Sequence, residues 1–242
     1  MLSSCCSRPN DARTGNLRLL IGLAILGAWM SGCTIGCDKG HSKPSSSDAR
    51  KPSTPAPATK PVDVKLPPIS GLPAGVTADE TQTEYDVTGL TAAALAAEMA
   101  AKGPRLPNGT VYKHYTEWNI EWHFDRSPGQ GTCRLVNPRV IMKDKVILPR
   151  WIAPPNAPAY LIAKWDAFRK AAATHEGAHR GIVAGVAASI GLYIVQASGL
   201  SCDAVAADVN TKAKALLDTA FASEKELDAR TRHGKLEGAV FP

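Results

Sequence analysis

A long stretch of helical periodicity in the second half of the chain is the feature that most constrains the fold. Between about residue 159 and residue 193, apolar or histidine side chains recur every three or four positions, which predicts one helix with a single buried face. The positions on this face are Leu161, Trp165, Phe168, Ala172, His175, His179 and Ile182. Such a helix must pack against a second layer of structure, and Gly191 or Gly199 is where it would break or end.

Two stretches of alternating apolar and polar residues before this helix predict that second layer. The first runs from about 111 to 124 and the second from 133 to 148, with the turn sequence SPGQG between them. Period-two alternation is typical of half-buried strands, so we expect two long antiparallel strands, with Pro138 marking a bulge or an edge. Residues 83–88 predict a shorter strand.

Two further helices complete the predicted fold. Thr91 is a preferred N-cap residue for a helix that runs to Lys102. A C-terminal helix is predicted from Cys202 to about Leu227, and its buried stripe is Val205, Val209, Leu216, Ala220 and Phe221. The predicted fold class is α+β and zincin-like, with a small antiparallel sheet packed on a long active-site helix and a C-terminal helix that returns to the site.

The N-terminus carries the features of an export signal. Arg18 precedes an apolar run that ends in Ser31, Gly32 and Cys33. This order is typical of a secretory signal, and its ending resembles a bacterial lipobox, in which the cysteine is lipidated. We therefore expect residues 1–32 to be a lipoprotein signal peptide and Cys33 the lipidation site. An uncleaved anchor helix is the alternative.

The position of the lipid determines the expected location. Lipidation at Cys33 predicts a cell-envelope protein at the outer membrane or on its periplasmic face. Cys37 is a second possible acceptor, and Asp38 after it resembles a signal for retention at the inner membrane.

Composition then divides the rest of the chain. Residues 33–75 are rich in Pro, Ser and Lys and predict a disordered tether, so the folded domain is expected at 76–242. Most of the formal net charge of +6 lies before residue 76, whereas a nucleic-acid footprint would lie on the folded domain. We therefore exclude nucleic acid as a partner and expect the membrane contact to come from the lipid anchor.

Only two of the six cysteines lie in the predicted domain. These two, Cys133 and Cys202, are expected to form a disulfide, because an exported chain folds in an oxidising compartment. Their spacing excludes a CxxC zinc knuckle.

The motif His175-Glu176-Gly177-Ala178-His179 lies within the predicted long helix. Side chains four residues apart share one helix face, so both imidazoles can bind one zinc ion while Glu176 stands beside it as a general base. Zinc-activated water and a neighbouring carboxylate are the elements of peptide-bond hydrolysis. The alternative is a pair of structural histidines packed against the sheet.

A catalytic zinc site needs a third protein ligand. Ile182 and Gly185 occupy the positions that would extend the motif to the metzincin pattern, so the ligand must come from elsewhere. The downstream candidates are Asp203, Asp208, Glu224, Glu226 and His233. Asp228 is either a hydrogen-bond acceptor for a ligand imidazole or a charge at a helix end. The candidates for stabilising an oxyanion are Tyr85, His114, His123, Arg180 and Tyr193.

Several segments resemble a bacterial family catalogued as domain of unknown function 922, whose members are described as predicted secreted zinc-dependent proteases. The segments are YDVTG, YTEWNIEW, VILPRW, THEGAH, DARTRHG and GAVFP. The resemblance spans about 83–242 and implies that His175 and His179 bind zinc and that Glu176 is catalytic. The terminal motif matches Asp228, Thr231, His233 and Gly234. This match favours His233 as the third ligand.

These features together predict an exported zinc metallopeptidase that uses one zinc ion, acts on polypeptides and has Glu176 as its general base. Two alternatives share the same motif. One is a non-catalytic envelope lipoprotein stabilised by zinc, and the other is a metallo-amidase that acts on peptidoglycan peptides. The oligomeric state does not follow from the sequence.

Overall fold

A computed structural model describes residues 60–241, and within them the architecture is α+β, with three helices and a small mixed sheet. The elements are β1 (Val76–Val87), α1 (Ala92–Lys102), β2 (Tyr115–Gly129), β3 (Thr132–Trp151), α2 (Ala159–Gln196), β4 (Ser198–Gly199) and α3 (Cys202–Thr231). A 3₁₀ turn at Lys235–Glu237 follows α3. The predicted α+β class is confirmed. The signal peptide, Cys33 and residues 33–59 of the predicted tether lie outside the described residues.

The long strand β3 is at the centre of the sheet, between β1 and β2. It pairs with β2 in an antiparallel hairpin, as predicted. It pairs with β1 in parallel, from Val76 opposite Val140 to Val87 opposite Trp151. The predicted all-antiparallel sheet is therefore wrong. A parallel partner is joined through a long crossover instead of a tight turn, so no local signal in the sequence identified this pairing.

A bulge divides the β2–β3 hairpin at the predicted proline. The register shifts between His123 and Asp125, opposite Asn137, whose φ is +51°. This extra residue reverses which side chains face the core. Leu135 is consequently buried, whereas the adjacent Val136 is only half-buried.

Helix α2 runs unbroken through Gly191 and packs across the sheet. Its N-terminal half belongs to one apolar cluster with α1 and the C-terminal tail, and its C-terminal half belongs to a second cluster with α3. The motif from His175 to His179 lies between the two. By length and composition α2 could cross a membrane, but half of its apolar window is buried in the protein. This burial is typical of a central core helix.

Helix α3 packs against α2 and extends to Thr231, beyond the predicted end at Leu227. The predicted buried stripe is correct at Val205, Val209 and Ala220 but wrong at Phe221, which is 58% exposed. Its ring stacks on Trp118 with the ring centroids 4.7 Å apart. The added turn brings Asp228 into the last turn of the helix, which matters for the site.

Residues 62–72 cross the domain as an extended strap and are not a free tether. The Leu66 backbone N–H donates to Gln82 Oε1 at 3.1 Å, and the Gln82 amide donates to the Val64 carbonyl at 2.9 Å. The strap also packs apolar side chains, including Leu66 and Ile69, against the core. The predicted boundary at residue 75 therefore cuts through an ordered part of the domain.

The buried Arg180 ties this strap to the sheet and to α2. Its Nε donates to Asp144 Oδ2 at 2.6 Å, and its Nη1 donates to the Pro67 carbonyl at 3.0 Å. A carboxylate from β1, Glu80, pairs with the same guanidinium. This network fixes the helix immediately after His179.

Cys133 and Cys202 lie at disulfide-bonding distance, with a sequence separation of 69. The cross-link joins the start of β3 to the start of α3. Because it closes a long loop, we expect the double variant Cys133→Ala/Cys202→Ala to lower the free energy of unfolding by about 4 kcal/mol. Urea unfolding of the wild type and the variant, both under oxidising conditions, measures this difference. Reduced wild type should match the variant, and equal stability of oxidised and reduced wild type would contradict the cross-link.

Candidate metal centre

His175 and His179 lie one turn apart on the face of α2 that meets α3. They are 2% and 8% exposed, and their rings are nearly perpendicular with centroids 4.8 Å apart. Their Nε2 atoms are 3.3 Å apart. The helical spacing thus directs one nitrogen of each ring to a common point, as expected of two side chains four residues apart.

Asp228 in the last turn of α3 completes this cluster. Its Oδ1 lies 3.2 Å from the Nε2 of His175 and 3.2 Å from the Nε2 of His179. Within residues 60–241, His175, His179 and Asp228 form a group in which each side chain offers one potential metal-ligand atom, and these three atoms lie close enough together to share one ion. The sequence left Asp228 as either a hydrogen-bond acceptor for a ligand imidazole or a charge at a helix end, and the structure brings its carboxylate against both motif histidines.

Two more carboxylates lie on the opposite side of the imidazole rings. Glu237 Oε2 is 2.9 Å from His175 Nδ1, and Glu224 Oε1 is 3.4 Å from His179 Nδ1. A carboxylate at Nδ1 favours the tautomer that carries its proton there, which leaves Nε2 as an acceptor. In that tautomer two imidazole lone pairs and a carboxylate oxygen converge, and they repel one another unless protons or a metal cation lie between them.

The dimensions and the donor set of this cluster fit zinc. Zinc binds imidazole nitrogen and carboxylate oxygen at about 2.0–2.2 Å, so neighbouring ligand atoms in a tetrahedral site are about 3.3–3.5 Å apart. The separations here are 3.2–3.3 Å. Two histidines and one carboxylate are also a ligand set of catalytic zinc sites, which keep the fourth position open.

The surrounding carboxylates give the cluster a negative electrostatic potential. Burial alone would lower the pKa of His179, but Asp228, Glu224 and the charge of Glu176 outweigh it and raise that pKa to about 10. His175 has a raised pKa for the same kind of reason, because its hydrogen bonds to Asp228 and Glu237 outweigh its burial. The field that holds protons on these imidazoles also attracts a divalent cation, which would displace them.

His233, favoured as the third ligand, is not a member of this cluster. Its side chain is 52% exposed, and its Nδ1 lies 3.2 Å from the other oxygen of Asp228, Oδ2. The chain leaves α3 through the left-handed residues Arg232 and His233, which turns the His233 ring outward. Asp228, and not His233, therefore lies against both motif histidines.

Glu176 faces β2 and is 3% exposed. Its Oε1 lies 2.5 Å from His114 Nδ1, and its Oε2 accepts a hydrogen bond from Thr116 Oγ1 at 2.5 Å. Burial raises the pKa of this carboxyl group, but the contacts with His114 and Thr116 outweigh burial and lower it below its ordinary value. Glu176 is therefore an ionised carboxylate held by His114 and Thr116, next to His175 in the chain.

The other sequence candidates lie in different surroundings. Asp203 pairs with Arg126, Asp208 accepts a hydrogen bond from Tyr193, and Glu226 is exposed. Of the five oxyanion candidates, His114 alone contacts Glu176; Tyr85 donates to the Lys113 carbonyl, and His123 is exposed. Neither Thr116 nor Glu237 was among the site residues predicted from the sequence. Thr116 lies within the alternating stretch that predicted β2, whereas Glu237 lies after the last predicted helix, where the sequence has no periodic pattern.

The closing Asp-x-x-Thr-x-His-Gly motif is explained by local geometry. Thr231 Oγ1 donates to the Leu227 carbonyl at 2.8 Å and accepts from the Gly234 N–H at 3.0 Å, which terminates α3. Gly234 has a φ of +73°, and a Cβ at this position would lie 2.9 Å from His175 Cγ. Only glycine fits both the backbone angle and the close approach to the ring.

Gly234→Ala is accordingly expected to disturb the cluster as well as the fold. Both the positive φ and the collision with the His175 ring destabilise the variant, the φ effect alone by about 1 kcal/mol. Gly71→Ala is the matched control, because Gly71 has a φ of +74° with no described atom within 4 Å of the added Cβ. Thermal unfolding and zinc affinity measure the two effects. Equal losses in both variants would contradict close packing of Gly234 on His175.

The fold and site together define an α+β domain with a His/His/Asp cluster on its central helix. The chain belongs to the family described as a bacterial protein of unknown function, DUF922, whose sequence profile matches residues 82–234. That range contains His175, His179 and Asp228. Comparison with curated proteins finds no match, and comparison with solved structures finds none either.

Proposed function

We propose that this protein is a zinc-dependent metallopeptidase. The observation that carries the proposal is the convergence of His175 Nε2, His179 Nε2 and Asp228 Oδ1 within 3.3 Å of one another, next to the buried carboxylate of Glu176. Three protein ligands with a neighbouring general base are the parts that zinc hydrolases require. The site residues are His175, His179 and Asp228 for the metal and Glu176 for proton transfer.

Each residue has a defined task in this proposal. Zinc, when bound, supplies Lewis-acid activation of a water molecule and of the substrate carbonyl. Glu176 accepts a proton from the attacking water and returns it to the leaving amine, as a general base and then a general acid. His114 and Thr116 keep Glu176 ionised and in place, because both contact its oxygens at 2.5 Å. His233 holds the second oxygen of Asp228.

The number of ligands favours catalysis over a purely structural zinc. Structural zinc sites are closed by four protein ligands, whereas catalytic sites use three. Within residues 60–241 the converging group contains three, and Glu224 and Glu237 instead contact the outer nitrogens of the rings. This arrangement supports an enzyme more than a zinc-stabilised scaffold.

The predicted export signal supports a further proposal, about the location of the protein and the class of its substrate. We propose that lipid on Cys33 anchors the enzyme in the bacterial cell envelope, where polypeptides exposed to the periplasm are its substrates. The disulfide between Cys133 and Cys202 suits that oxidising compartment.

Removal of the metal tests the proposal. The purified protein should cleave casein, lose this activity on chelation, and regain it when one equivalent of zinc is added. Isolated peptidoglycan sacculi form the parallel assay. Cleavage of sacculi but not casein would favour the metallo-amidase, and zinc binding without cleavage of either would favour a non-catalytic lipoprotein.

A further inference from the structure

We infer that the C-terminal tail, residues 234–241, is a positioning device for the metal centre, and that Glu237 within it sets the affinity of the site. This inference rests on the proposed zinc site. Glu237 and most of the tail lie beyond the family match, which ends at residue 234. The tail therefore adds to the centre a carboxylate that lies outside the matched region.

The tail forms a closed turn directly over His175. The Gly234 carbonyl accepts hydrogen bonds from the N–H groups of Glu237 at 2.9 Å and Ala239 at 3.0 Å. Gly234 and Gly238 have left-handed φ angles of +73° and +92°, which make so tight a turn possible. The backbone at Gly234 approaches the His175 ring so closely that the Glu237 carboxylate can reach Nδ1 at 2.9 Å.

The turn is fixed at its far end by the last aromatic residue. Phe241 is buried between Trp165 and Phe168, with ring centroids 5.4 Å from each. Its carbonyl also accepts a hydrogen bond from Lys113 Nζ at 2.8 Å. Leu236, in contrast, is 65% exposed, so apolar contacts of this residue do not hold the turn in place. The position of Glu237 thus depends on Gly234 at one end and Phe241 at the other.

The contact between Glu237 and His175 affects how strongly His175 binds the metal. A carboxylate that accepts the Nδ1 proton of His175 fixes the orientation of the ring and makes its Nε2 a stronger donor to the metal. Loss of such a partner typically weakens metal affinity by about 10- to 100-fold. Glu237 is a positioning residue on this account, since it contacts His175 and not the point where the ligand atoms converge.

Zinc titration of the full chain in competition with a chromophoric chelator tests the inference. Glu237→Ala should weaken zinc binding about 10- to 100-fold, whereas Glu237→Gln should recover part of the affinity because its amide oxygen still accepts the Nδ1 proton. Glu226→Ala, an exposed carboxylate on α3, is the matched control and should leave affinity unchanged. The absorption spectrum of the cobalt-loaded protein should shift in Glu237→Ala and not in Glu226→Ala.

A double-mutant cycle tests the anchor separately from stability. Lys113→Met and Phe241→Ala should each weaken zinc binding in the wild-type background and have little further effect once Glu237 is alanine. Additive losses would overturn the anchoring role. If wild type binds zinc but Glu237→Ala binds it equally well, the inference fails while the metal centre stands. If wild type binds no zinc, the proposed function fails with it.

Discussion

Replacing Glu176 by glutamine is expected to lower the turnover number for peptide hydrolysis by about 10²- to 10⁴-fold, the usual contribution of a general base. Glutamine has nearly the same shape and can still accept the hydrogen bond from Thr116. It cannot accept a proton from water. Zinc content should remain at the wild-type value, because Glu176 contacts His114 and Thr116 and is not among the converging ligands.

The control for Glu176→Gln is Glu226→Gln, which makes the same chemical change on an exposed part of α3. It should retain wild-type turnover. Casein hydrolysis and metal content are measured on the same preparations, so that loss of zinc is not mistaken for loss of the base. Full activity of Glu176→Gln at normal zinc content would contradict a catalytic role for this carboxylate.

Asp228→Asn should have the largest effect on metal binding among the variants outside the helical motif. It replaces a charged ligand oxygen, which lies 3.2 Å from both imidazole nitrogens, by a neutral amide. We expect zinc affinity to fall by at least about 100-fold, because loss of a ligand should exceed the loss of an outer partner. His233→Ala should cause a smaller loss, since His233 contacts Asp228 through its outer oxygen, Oδ2, and does not contact the converging nitrogen atoms.

The comparison of these two variants decides which residue is the third ligand. Chelator competition gives both affinities, and His123→Ala is the control for removal of an exposed histidine. A greater loss in His233→Ala than in Asp228→Asn would restore the assignment that the family resemblance favoured. It would also require the chain after α3 to turn the His233 ring inward.

The parts of the fold that the sequence predicted are those with a local periodic signal. Helix α2 and the β2–β3 hairpin follow from side-chain spacing within single segments, and Thr91 caps α1 through the hydrogen bond from Ala94 N–H, as expected. The parallel pairing of β1 with β3 joins segments far apart in the chain and leaves no such signal. The same is true of the strap, whose contacts with Gln82 and Glu80 are made by backbone groups in a Pro-rich segment.

The residues of the site also separate into those that a local pattern predicts and those that depend on tertiary structure. His175, Glu176 and His179 follow from helical spacing alone, because residues four apart necessarily share a face. The proximity of Asp228, and not His233, to both imidazoles depends on where α3 ends, and helix ends are the least certain part of any prediction from sequence. Glu237 depends on a turn closed by Gly234 and anchored by Phe241, which is a tertiary arrangement that no local pattern contains.

Zinc titration of the metal-free protein by calorimetry tests the central claim most directly. The account predicts one saturable site per chain in the wild type, lost in His179→Ala and severely weakened in Asp228→Asn. It also predicts proton release on binding, because zinc displaces protons from imidazoles whose pKa values are raised. Absence of a saturable site, or a site that survives in His179→Ala, would contradict it.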